Sequence, residues 1–139
     1  MALRDWIATH PPKAERFTQT FAGISDRVRD GDDFRVAVRE FLDEFDLRPR
    51  HLRGTASADR PAPTGDARFD AFLGALAEHL AIRDGLAAPD WVNEEAVRFL
   101  DRMWFVSETP GFRAIAIARS PMAFRRRGIF VPADSLKRV

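Results

Sequence analysis

The sequence predicts an all-α protein, a small bundle of five to seven helices with a long central loop and a short extended segment near the C-terminus. Three observations carry that expectation. Apolar residues recur at helical spacing along most of the chain, capping residues and glycines punctuate those stretches, and one polar stretch rich in Pro and Gly divides them. A length of 139 residues fits one domain, or two small helical modules sharing a core. Hydrophobic residues make up 45%, with 12 Phe and 3 Trp, enough to fill an interior and to exclude disorder throughout.

Taken in order, Leu3 to Thr9 reads as a short helix stopped by Pro11 and Pro12. Ala14 to Arg29 reads as a second, with Phe17, Phe21, Ile24 and Val28 on one stripe and Gly31 at its end. Asp32 or Asp33 caps a third, whose Phe34, Val38, Phe41, Leu42 and Phe45 lie opposite charged residues. Together they predict an N-terminal helical hairpin over 1–47, with phenyl rings packed between the helices. From 48 to 65, Pro49, Gly54, Pro61, Pro63 and Gly65 break the pattern, and so long a structureless stretch reads as a linker or long loop between modules.

The C-terminal module, 66–139, opens on Asp66 as the cap of a fourth helix with Phe69, Phe72, Leu73, Leu76 and Leu80 inside and Gly85 at its end. Asn93 caps a fifth, with core face Ala96, Val97, Leu100 and Trp104. Thr109-Pro110 and Ser120-Pro121 each place a hydroxyl at an N-cap and Pro at the first helical position. Arg113 to Ala118 also alternates with strand period, but its alanines favour helix. A helix from Met122 to Arg127 stops at Gly128, Ile129-Phe130-Val131 is extended, and Asp134 caps a last turn.

Charge is uneven behind a net of +1: residues 61–110 hold 4 basic and 9 acidic side chains, and 111–139 hold 7 and 1. The basic tail predicts either an internal contact with the acidic middle or an external acidic partner, nucleic acid or protein. No apolar run approaches the roughly 20 residues of a membrane span, and Met1 to His10 lacks the pattern of a signal peptide, so a cytoplasmic protein without membrane contact is expected.

Catalysis is not expected. There is no Cys; His10, His51 and His79 have no metal-ligand spacing; and no phosphate-binding loop or GxSxG turn occurs. Neither metal nor cofactor is therefore predicted. Leu80 to Leu86 approaches a helix-turn-helix turn, but Asp84 falls at a buried slot and Pro89 in the first turns of the recognition helix.

Arg125-Arg126-Arg127, backed by Arg113 and Arg119, is the sharpest local feature. Consecutive helical residues fan over roughly 200°, so at least one guanidinium should turn toward the body and fork to a carboxylate of the acidic middle. The same arginines also suit a helix C-terminus or an interface with phosphates or an acidic protein groove. These five arginines, with Trp104 as an aromatic anchor, are the candidate partner-binding residues.

Ala37 to Asp43, Pro63-Thr64-Gly65-Asp66, Trp91, Arg98 to Asp101 with Trp104-Phe105, and above all Ser120 to Val131 together resemble a family of small bacterial antitoxin-like proteins. Members of that family partner nucleotidyltransferase-like toxins of the abortive-infection type. The resemblance implies a noncatalytic antitoxin that neutralises a cognate toxin by protein contact, blocking its nucleotide or tRNA site; the charge pattern sets the basic tail on an acidic groove of that partner. A DNA-binding regulator using the same Arg-rich surface is the alternative, and self-association is left open.

Overall fold

The computed structural model describes residues 19–136 and is mostly helical. Its α-helices are α1 (Phe21–Arg29), α2 (Phe34–Leu47), α3 (Arg50–Arg53), α4 (Ala67–Asp84), α5 (Glu95–Arg98), α6 (Phe112–Arg119) and α7 (Met122–Arg125). Two-residue strands β1 (Trp104–Phe105) and β2 (Ile129–Phe130) pair in parallel, Trp104 opposite Ile129 and Phe105 opposite Phe130.

Side-chain caps form at three helices, the expected Asp33 and Asp66 among them. Thr20, Asp33 and Asp66 side chains accept from the backbone N–H groups of Gly23, Val36 and Arg68, each satisfying a donor that the first turn leaves free. Because Thr20 is extended, α1 begins at Phe21 rather than Ala14; the part of that expectation before Gln19, like the Leu3–Thr9 helix, lies outside the described residues. Gly85, with φ of +68°, ends α4 where a side chain would be strained.

Helix α4 is the axis of the fold, buried almost without interruption from Asp70 to Ala81. Within the α1–α2 hairpin Phe21 packs against Phe41, with ring centroids 4.6 Å apart, and the hairpin meets α4 through Phe34 stacked at 4.1 Å on Phe69. Phe72 then meets Phe34 at 5.4 Å and Phe124 of α7 at 5.1 Å, so aromatic contacts run unbroken from hairpin to tail. The two expected modules share one hydrophobic core.

Three further differences follow from long-range polar contacts. The segment 48–65 is not a free linker: it holds α3 and a 3-10 turn, Gly54–Ser57, and it buries Ala56 and Pro61. Trp91 Nε1 donates to the Ser57 carbonyl at 2.9 Å, Arg98 to that of Pro61 at 2.8 Å, and Ser25 to that of Ala62, so side chains from both halves take up its carbonyls. The fifth helix is only one turn, with Glu94 rather than Asn93 before it, because Phe99 turns extended and Leu100 N–H donates to the Arg127 carbonyl. That turn delivers Trp104 to a strand instead of a helix face. Finally, Ser120 is not an N-cap: its hydroxyl donates to the Ala116 carbonyl and accepts from Val131 N–H at 2.8 Å, tying α6 to β2.

Candidate functional site

The six candidate residues separate into three environments. Asp70, Gly74 and Glu78 recur every four residues, placing them in one row along α4. Onto this row the arginines of other segments dock. Arg126 forks onto Glu78, Nε to Oε1 at 2.8 Å and Nη2 to Oε2 at 2.6 Å, and also reaches Asn93 Oδ1 at 3.0 Å. Arg127, with no side-chain exposure, donates to Glu78 Oε1 at 3.1 Å and to the carbonyls of Ala123 and Val92, each at 2.7 Å. Both guanidiniums lie over the Phe99 ring, 5.0 and 4.7 Å from its centroid. Burial pushes the Glu78 carboxyl up, but hydrogen bonds from Arg126 and Arg127 outweigh it and hold the group below its ordinary value. Burial lowers the pKa of Arg127, with Glu78 opposing; a guanidinium retains its proton nonetheless.

The inward fork expected of the Arg triplet is thus present, and it takes two of the three. Arg127 lies inside the protein and is corrected from a partner-facing residue to an internal one. Arg126 is 36% exposed at its side chain but committed to Glu78. Arg98, which is not among the candidate partner-binding residues, completes the buried set: it donates to the Asp70 carbonyl at 3.1 Å and stands 4.9 Å over Trp91. Burial lowers its pKa, opposed by Glu94 and Asp70.

The second environment is the surface around α6. Arg113, Arg119 and Arg125 are exposed. Arg113 rests 5.0 Å over Phe105, Arg119 lies 3.9 Å from Asp134, and Arg125 donates to the carbonyls of Ile117 and Ser120, capping α6 rather than its own helix. Between them α6 is almost bare: only Ala116 is buried, while Phe112, Ile115 and Ile117 are 43%, 45% and 52% exposed. Met103 and Met122 are exposed as well.

The third environment is a cavity of about 320 Å³ between α2, α4 and the β1–β2 ribbon. Trp104 is half-buried in its wall, with Phe34, Val38, Leu42, Phe72 and Leu136, so it faces this cavity rather than the α6 surface. Arg35, Arg39, Asp43, Arg68 and Glu108 edge it. No metal-binding group of His, Cys, Asp or Glu occurs among the described residues, and no helix there is long and apolar enough to cross a membrane. His79 packs its ring 5.9 Å from that of Phe124, and burial, with Arg83 nearby, lowers its pKa.

Compared with protein-family models, curated proteins and solved structures, the chain has no match.

Proposed function

We propose that this chain is a noncatalytic binding module that docks through α6 on an apolar groove edged with carboxylates of a cytoplasmic partner protein. One observation carries the reading. A helix that is apolar around its circumference belongs inside a protein, yet α6 buries a single alanine and holds Phe112, Ile115 and Ile117 in solvent beside Arg113, Arg119 and Arg125. An apolar helix laid in a groove is a recurring mode of recognition, and the flanking guanidiniums select acidic edges. A phosphate backbone is a poorer fit, since affinity there grows with the number of cations and gains little from isoleucine.

The partner class follows from the sequence resemblance: a nucleotidyltransferase-like toxin, neutralised when the module covers its acidic metal-holding groove. Co-expression with the adjacent gene product, followed by pull-down and growth rescue, tests this. A complex lost in the Ile115→Asp, Ile117→Asp variant, with rescue lost in parallel, supports the proposal. Absence of a complex, a complex indifferent to that variant, a homodimer split by it, or a DNA complex that persists in it would each overturn the proposal.

A further inference from the structure

We propose that the cavity between α2, α4 and the β1–β2 ribbon binds an amphipathic organic anion, a carboxylate on an apolar body. This site is separate from the α6 surface and does not depend on the toxin reading. Its volume of about 320 Å³ falls at the lower end of small-molecule pockets, and its walls are mostly aliphatic and aromatic side chains, as such pockets require. The sign of the ligand comes from the edge. Arg35 and Arg39 stand one turn apart on α2, so both guanidiniums border the same side of the opening.

Their commitments differ from those of the other edge charges. Arg39 has no hydrogen-bond or ion-pair partner among the described residues, and Arg35 uses one N–H on the Val106 carbonyl at 2.8 Å, leaving further donors. Arg68, by contrast, is held by Asp66 and lies over Phe69 and Trp104, so it closes the wall as a flat surface. Asp43 is already partnered. Glu108 acts on Arg68. The uncommitted donors therefore gather on the α2 side, where a carboxylate would receive a forked pair of charge-assisted hydrogen bonds while its chain enters between Val38, Leu42 and Phe72.

Submicellar decanoate titrated into the full-length protein, followed by methyl NMR, is the test, with decanol and decylamine as neutral and cationic analogues. Shifts should concentrate on Val38, Leu42, Val106, Val131 and Leu136, with decanoate binding tighter than decanol and decylamine weakest. The Arg35→Glu, Arg39→Glu variant, checked for an unchanged fold by its methyl spectrum, should bind decanoate about tenfold or more weakly, the loss of one charge-assisted contact, and decanol equally. If that variant fails to fold, Arg39→Gln serves in its place with the same ordering. No binding, shifts scattered over the surface, decanol matching decanoate, or variants that leave the decanoate affinity unchanged would overturn the assignment.

Discussion

Replacing Glu78 with Gln removes one charge and leaves two guanidiniums facing an amide that is itself half donor. The cost divides unequally between them. Arg127 is wholly buried, and Glu78 is 11% exposed at its side chain, so this contact is an internal ion pair; breaking such a pair by removing one partner costs about 3 to 5 kcal/mol. Arg127 keeps the carbonyls of Ala123 and Val92, which places the loss at the lower end. Arg126 is 36% exposed and can turn to water, so solvent screening leaves it about 1 kcal/mol or less. The total, about 3 to 4 kcal/mol, is a large share of the roughly 5 to 15 kcal/mol that stabilises a domain. It should lower Tm by roughly 10 °C in a chain of this size. Urea unfolding at neutral pH measures it. The variant Glu78→Met, Arg127→Met, which replaces the pair by packing groups, should recover most of the loss.

The pH dependence has a definite sign. The Glu78 pKa is lowered on folding from its ordinary 4.5, so its contribution is complete above that value and disappears as pH falls through the lower folded one. The gap in stability between wild type and Glu78→Gln should therefore be constant near neutrality and close in acid. A loss below about 1 kcal/mol at neutral pH, or a gap that widens on acidification, refutes the assignment of Glu78 as the anchor of the tail.

Two other substitutions test the same core. Gly74→Ala improves helix propensity by about 1 kcal/mol, but its Cβ would stand 3.0 Å from Cβ of the fully buried Arg98. Overpacking of about 1 to 3 kcal/mol should win, and a variant as stable as wild type in urea would show that Arg98 can yield. Ser120→Ala strips the buried Val131 N–H of its acceptor and should cost about 1 to 3 kcal/mol, with faster hydrogen exchange at Val131. Unchanged exchange there would exclude the tie between α6 and β2.

The helices that could be read in the sequence are those whose caps and apolar faces are local. Asp33 and Asp66 lie at their helix starts, and Phe34, Val38, Phe41, Leu42 and Phe45 are all buried as their spacing requires. What was not legible depends on partners far along the chain. Arg98 falls opposite what reads as the apolar face of a fifth helix, a position that suits solvent, and its burial is sustained by carbonyls 28 and 37 residues away. Strands of two residues leave no alternating pattern, so the spacing of Trp104 matches the helix before it. The row of Asp70, Gly74 and Glu78 within the buried stretch of α4 is the available sign that arginines are received there.

The division of the tail's charge bears on how α6 could act. The excess of basic residues after position 110 is partly used within the molecule, Arg126 and Arg127 on Glu78 and Arg125 on the end of α6. Those contacts fix α7 against α4, and Ser120 fixes the end of α6 to β2, so the exposed helix is held at its base before any partner arrives. A surface ordered in advance avoids part of the entropy that binding would otherwise cost. If α6 docks as proposed, Arg126 and Arg127 contribute without touching the partner, by fixing the base on which Phe112, Ile115 and Ile117 stand exposed, and Arg113 and Arg119 are left at the edges to meet carboxylates.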